Sequence, residues 1–131
     1  MLRPFTTTPD VCWFCVWEGY GSAFFDAKRY REVPRVTLPE RSYFLYRGPL
    51  DAVTSFQWGR IWQSPNLWWP DDHAWCAATE IDLPETYVGG SQACIDAILS
   101  DDHLESIQTR SEARVDINAD TVNPPVEGPR D

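Results

Sequence analysis

Two pairs of residues with metal-binding side chains share one spacing, Cys12-x-x-Cys15 and His73-x-x-Cys76. Three thiols and an imidazole suit a tetrahedral zinc site, and ligands separated by two residues are a common way to build one. Cys12 and Cys15 lie in an apolar run typical of a strand, however, where an offset of three residues puts the two thiols on opposite faces. Because free cysteine is among the most buried residue types, we predict core-filling thiols and no cofactor. The alternative is a zinc ion bound by Cys12, Cys15, His73 and Cys76.

Carboxylates form the second group that could do chemistry. Glu18 follows the first apolar run. Glu80 and Asp82 are two residues apart in a later segment predicted to be a strand, so their side chains would point to the same face. Such oxygens can hold a hard cation or divide acid and base roles, with His73 as a general base. No glycine-rich phosphate loop and no nucleophile motif accompanies them in the sequence. The alternative function is therefore a small metal-dependent enzyme with the candidate catalytic residues Glu18, His73, Glu80 and Asp82.

Tryptophan is unusually frequent and is concentrated in one region. The chain has seven tryptophans in 131 residues, and five of them fall between positions 58 and 75. Indole rings can anchor a protein partner as interface hot spots, or they can fill the core. Since the adjacent Trp68 and Trp69 cannot easily both point into one core, we expect this segment to cover the core on one side and to contact a partner on the other. The predicted binding residues are Trp62, Trp68, Trp69, Asp71, Asp72 and Trp75.

Charge is distributed unevenly along the chain, which has a net charge of −9. Residues 1–70 hold eight Lys or Arg and six Asp or Glu, whereas residues 71–131 hold three and fourteen. An acidic surface attracts a basic protein and repels the phosphate backbone of a nucleic acid. The only candidate basic patch consists of Lys28, Arg29, Arg31, Arg35, Arg41 and Arg47. We predict a protein partner, with a basic one favoured by the charge, and no nucleic acid.

Length and composition bound the class of protein. A chain of 131 residues with 43% hydrophobic residues can bury one core and fold as one domain. It has no run of about 18 apolar residues, and its first residues lack the pattern of a secretion signal. We therefore expect no membrane partner and a cytoplasmic location, where the four cysteines would remain thiols.

Hydrophobic periodicity indicates the strands that would position these residues. Apolar or alternating runs predict strands over 11–17, 42–47, 74–82 and 86–91. Pro34 and Pro39 interrupt the segment before the second of these strands and reduce it to an edge strand or a loop. The segment 63–72 contains two prolines and is predicted to be a loop.

Two segments have the period of a helix. Leu50, Val53 and Phe56 recur within 48–62 and predict a short helix there. In "QACIDAILSDD", which begins at position 92, apolar residues fall at i, i+1, i+4 and i+5, the spacing of one helix face. Ser91 is placed to cap this second helix.

Strands outnumber helices and come in runs, which predicts an α+β fold. We expect a single domain over residues 1–117, with a mostly antiparallel sheet and one or two helices packed on one face. Its last part is expected to hold a helical turn and a strand around Val115 and Ile117. From Asn118 three prolines and few large apolar residues predict a flexible tail over 118–131.

Two stretches carry a resemblance to other proteins, "PDVCWFCVWEGYG" and "SPNLWWPDDHAWCAATEIDLPETYVGGSQACIDAIL". They resemble a group of actinobacterial proteins that have a similar Trp-rich block followed by a Tyr-Val-Gly-Gly turn, over roughly positions 8–107. The group has no established activity, so the resemblance implies a shared fold and transfers no catalytic residue. In size and α+β pattern the chain is also similar to small acidic immunity and regulatory domains of the cell-wall-regulator (SMI1/KNR4-like) type, an analogy of fold alone.

The favoured function is a non-enzymatic binding domain. The Trp-rich loop over 62–75 and the acidic second half would contact a protein partner. The metal-dependent enzyme and the zinc-stabilised domain are the alternatives, and both require the Cys/His or carboxylate residues to converge.

Overall fold

The strand-forming runs of the sequence pair into one large sheet. The computed structural model describes residues 1–21, 28, 30–58 and 60–115. Its strands are β1 Cys12–Trp17, β2 Arg35–Leu38, β3 Arg41–Gly48, β4 Gln57–Trp58, β5 Ile61–Trp62, β6 Leu67–Pro70, β7 Trp75–Thr79 and β8 Thr86–Gly90. Six of them form an antiparallel sheet with the order β2-β3-β1-β6-β7-β8, and β4 pairs with β5 separately. The predicted α+β class is confirmed.

The core lies against one face of the six-stranded sheet, which we call the core face. Side chains alternate along β1, so that Cys12, Phe14 and Val16 point to this face and all three are fully buried. Leu50, Trp75 and Cys94 pack with Cys12 and Phe14 into one cluster, and Val16 packs with Phe44 into a second. The alternate positions of β1 point to the opposite face.

A single α-helix is present in the described residues, α1 Gln92–Leu99, and it packs on the core face. It begins directly after β8, where the Ser91 hydroxyl accepts the N–H of Cys94 at 3.3 Å, as the sequence predicts. Cys94 is fully buried against Trp75 in the core. Gly90 allows this close approach, because a Cβ there would lie 3.3 Å from both the Cys94 thiol and the Trp75 Cβ.

Two predicted elements are wrong. The segment 48–62 forms a 3-10 turn over Leu50–Thr54 and then the short strands β4 and β5, because the helical period covers only its first part and Trp and Ile beyond it favour extended structure. The predicted loop over 63–72 contains β6, a central strand between β1 and β7. The two prolines that indicated a loop lie at the limits of this strand: Pro65 precedes it and Pro70 is its last residue.

The other strands agree with the sequence in kind. β2 lies between Pro34 and Pro39 at an edge of the sheet, and β7 ends at Thr79 rather than at residue 82. Residues 101–115 contain turns but no strand at Val115. Ile117 and the predicted tail over 118–131 lie outside the described residues. Within the described part, no helix has the length and apolarity needed to cross a membrane.

Candidate functional site

Three tryptophans lie on the sheet face opposite the core. Trp13 and Trp17 are the alternate residues of β1, and Trp69 on β6 is the register partner of Trp13. All three are half-buried. In the described part of the chain, neither Trp13 nor Trp69 packs its ring against another aromatic ring. We call this surface, defined by Trp13, Trp17 and Trp69, the tryptophan face.

The ring of Trp13 is held in place by two charged groups. Its indole N–H donates to the Asp71 carboxylate at 2.9 Å. The guanidinium of Arg47, its register partner on β3, lies 5.8 Å from the centre of the ring. Because both contacts fix the side chain before any partner binds, Trp13 would lose little conformational entropy in a complex.

Trp69 borders an open pocket at the other end of the same row of residues. Trp69, His73, Trp75 and Cys76 line this pocket, whose volume is about 330 Å³. Beyond Cys76 the row ends at its partner Gly89, where an added Cβ would have no atom within 4 Å. Since Trp75 is only 1% exposed, the accessible lining consists mainly of Trp69, Cys76 and the exposed imidazole of His73, which suits an apolar group of a ligand better than a charged one.

Trp17 is positioned by the turn that follows β1. Its backbone N–H donates to the buried side chain of Asn66 at 2.9 Å, and the Asn66 amide donates to the Tyr20 hydroxyl at 3.0 Å. The rings of Trp17 and Tyr20 meet edge to face at 5.3 Å. The indole also lies directly over Gly19, since a Cβ there would overlap with the ring. Asn66 and Gly19 therefore fix the outer end of the tryptophan face.

The candidate carboxylates are occupied by arginines. Arg41 donates to Glu80 at 2.9 Å and to Asp82 at 3.1 Å, so these two acids meet on one cation, from the segment after β7 rather than from one face of a strand. The hydrogen bond to Glu80 is the main reason why the pKa of Arg41 is raised. Glu18 instead accepts from Arg35 at 2.9 Å. The structure gives Glu18 and His73 no contact with this pair, so the four candidate catalytic residues do not form one site.

The cysteines do not assemble a metal site. Cys12 and Cys15 point to opposite faces of β1 and are both fully buried, as the strand geometry predicts. Burial raises the pKa of the Cys15 thiol to about 12 and also raises that of Cys76. Across the described residues, no group of three or more His, Cys, Asp or Glu side chains could hold a metal ion.

The predicted binding residues separate into core and surface. Trp75 is 1% exposed, and Trp68 lies 5.1 Å from it and 6.3 Å from Phe14, ring centre to ring centre, so both belong to the core. Their role in contacting a partner stays a prediction. Trp69, the neighbour of Trp68, points to the opposite face. The expected split of this pair between core and surface is therefore observed.

Asp71, Asp72 and Trp62 have three different positions. Asp71 holds Trp13, as described above. Asp72 accepts hydrogen bonds from the backbone and side chain of Thr7 and from the Thr6 hydroxyl, which hold its pKa down at about 2 and tie the N-terminal segment to the β6–β7 turn. Trp62 on β5 is 55% exposed, and its N–H donates to a backbone oxygen, that of Thr54.

The candidate basic patch is partly neutralised. Arg35 and Arg41 form the ion pairs already described, and Arg47 covers Trp13. Arg29 lies outside the described residues. These contacts leave the patch with less free positive charge than the sequence suggests.

Trp13 and Trp17 are candidate contact residues that the sequence pattern did not indicate. All residues from Val11 to Trp17 are apolar, which is typical of a strand buried on both faces. The one signal in the sequence is that Trp13 and Trp17 are separated by an even number of residues, which puts both on the same face of β1. This spacing does not tell which face is the core, since that depends on residues far away in the sequence.

Together these features define a small α+β domain with a core on one sheet face and anchored, half-buried tryptophans on the other. In comparisons with known proteins, no family model matches the chain, and no curated protein or solved structure matches it. The resemblance to the actinobacterial group and the analogy to cell-wall-regulator domains stay predictions.

Proposed function

We propose that the protein is a non-enzymatic binding domain that contacts a protein partner through the tryptophan face. The observation that supports this most is the position of Trp13, Trp17 and Trp69, half-exposed on the face opposite the core. Tryptophan is enriched among the residues that dominate binding energy at protein interfaces. Several apolar rings on one surface also mark a contact site more often than isolated exposed residues do.

The anchoring of the rings supports the same proposal. Asp71 and Arg47 contact the ring of Trp13, while Tyr20 and Arg41 contact the ring of Trp17. A surface whose side chains already have their bound conformation loses less entropy on association. The open pocket beside Trp69 offers a place for one apolar side chain of the partner.

The charge of the chain favours a basic partner. Residues 61–109 contain nine Asp or Glu and no Lys or Arg. Glu80 and Asp82 are paired with Arg41 from outside this segment, and the remaining seven acids give it a negative field. Such a field speeds the encounter with a basic protein and weakens as salt is added. The cytoplasmic location and the absence of nucleic-acid binding stay predictions.

The test compares proteins captured from the source cells by four immobilised forms of the domain: wild type, Trp13→Ala, Trp69→Ala and Trp62→Ala. Trp62 serves as the matched control because it is an exposed tryptophan on the separate β4–β5 sheet. We expect a partner that wild type and Trp62→Ala retain, that the other two variants lose, and that elutes as salt is raised. Equal capture by all four forms would contradict the proposal. Loss in Trp62→Ala alone would move the contact surface to β5.

A further inference from the structure

One edge of the large sheet has no neighbouring strand among the described residues. β8 is the last strand on its side, and in the part of the chain that the structure describes no strand pairs with its outer edge. Natural edge strands commonly carry a charge or a proline that prevents pairing with another chain. The opposite edge strand, β2, begins with Arg35 and is flanked by Pro34 and Pro39. Thr86–Gly90 has neither a charge nor a proline within the strand, and Pro84 and Glu85 lie just before it.

The sequence of β8 is complementary to itself. Laid antiparallel against a copy of itself and centred on Val88, the strand places Tyr87 opposite Gly89 and Thr86 opposite Gly90. Tyr87 and Gly89 both point to the tryptophan face, since their partners on β7 are Ala78 and Cys76. The space where a side chain would stand at Gly89 is open. An aromatic ring opposite an edge glycine covers the exposed backbone and pins the register.

We propose that two copies of the chain associate by antiparallel pairing of β8 with β8, centred on Val88, with Tyr87 of each copy lying over Gly89 of the other. The arrangement is a two-fold, self-complementary interface that joins the two six-stranded sheets into one. Because the two-fold axis is perpendicular to the sheet, both tryptophan faces lie on the same side. Gly89 is the register partner of Cys76, so Tyr87 of the second copy adds a wall to the pocket beside Trp69.

The expected dimer is weak and depends on salt. A five-residue strand is roughly 17 Å long, and pairing along it buries less than the roughly 1,200 Å² typical of stable interfaces. Each copy also carries a net charge of −9, so the copies repel each other at low ionic strength. Added salt screens this repulsion and should strengthen the dimer. The inference does not depend on the proposed function, whose basic partner should be released by salt.

Sedimentation equilibrium of the full chain tests the proposal, at protein concentrations up to about 1 mM and in NaCl of about 50 and about 500 mM. We expect wild type to rise from the monomer mass of 15.1 kDa toward twice that value, with stronger association at high salt. Gly89→Lys introduces the edge lysine that β8 lacks into open space and should remain monomeric. Thr37→Lys makes the same kind of change at an exposed position of β2 and should dimerise like wild type.

Three results would overturn the proposal: a wild type that stays at 15.1 kDa under all these conditions, a Gly89→Lys variant that dimerises normally, or a Thr37→Lys variant that does not dimerise. Urea unfolding verifies that each variant is folded. If Gly89→Lys fails to fold, Tyr87→Ala replaces it. Loss of the ring over Gly89 should weaken the dimer by about tenfold, and an unchanged dissociation constant would contradict the pairing.

Discussion

Replacing Asn66 by alanine should destabilise the domain and loosen the outer end of the tryptophan face. Asn66 is 5% exposed and precedes β6. Its side chain accepts the Trp17 backbone N–H and donates to the Tyr20 hydroxyl, while its own backbone bonds to Cys15 on one side and to Thr79 on the other. The residue thus connects β1 with β7 at the point where β6 begins.

The magnitude follows from the two side-chain hydrogen bonds. Each contributes a net stability of about 1 kcal/mol, and a buried donor left without an acceptor costs about 1–3 kcal/mol. Because Asn66→Ala removes both bonds and leaves the Trp17 N–H unpaired, we expect the free energy of unfolding to fall by about 2–4 kcal/mol. Tyr20→Phe removes the bond from Asn66 to the Tyr20 hydroxyl and keeps the bond to the Trp17 N–H, so it should cost less than Asn66→Ala.

Urea unfolding followed by tryptophan fluorescence and by far-UV circular dichroism measures both variants. A genuine loss of stability moves the midpoint while leaving the dependence of free energy on urea unchanged. A loss below about 1 kcal/mol in Asn66→Ala would refute the reasoning, since it would mean that water or another group satisfies the Trp17 N–H. An equal loss in Tyr20→Phe would assign the effect to Tyr20 rather than to the joint between strands.

Two further predictions concern titratable groups. The pKa of Asp72 is about 2 in the folded state against an ordinary 3.8, so its carboxylate stabilises the fold above pH 4 and this contribution is lost as pH falls from about 4 to 2. The stability of Asp72→Asn measured by urea unfolding should therefore vary less with pH in that window than the stability of wild type, and equal slopes would contradict this. Cys76 is the only cysteine that is not fully buried, so a thiol reagent on native protein should modify it first, though slowly because burial raises its pKa. Mass spectrometry of the modified protein checks this, and faster modification of Cys15 would be the contrary result.

The sequence predicts those elements whose signal is local. α1 has a periodic apolar face and the capping residue Ser91. β7 has alternating side chains, and β8 ends in two glycines. β6 is not predicted from the sequence because its stability comes from strands that are distant in the sequence. Leu67 pairs with Cys15 on β1 and with Ala78 on β7. The local sequence contains no sign of this pairing, whereas the prolines near the two ends of β6 predict a loop.

The tryptophan face is also only partly predictable, because part of its signal is local and part depends on residues distant in the sequence. That Trp68 and Trp69 must separate follows from their adjacency in the sequence, but which ring faces the core depends on Leu50, Trp75 and Cys94, which pack against one side of β1. Once that side is fixed, Trp13 and Trp17 must lie on the other. The ion pairs of the candidate carboxylates also could not be predicted from the sequence. Arg41, which pairs with both Glu80 and Asp82, lies about forty residues earlier in the chain, and nothing near the two acids indicates this pairing.

Salt acts in opposite directions on the two proposed associations, because the same net charge of −9 attracts a basic partner and repels a second copy. Moderate salt therefore separates them in one preparation: the basic partner dissociates while the β8 pairing tightens. If both occur together at low salt and high protein concentration, the two-fold axis places both tryptophan faces on one side of the joined sheet. A partner with two basic apolar segments could then bind both faces at once, and its affinity for the domain would rise with the concentration of the dimer.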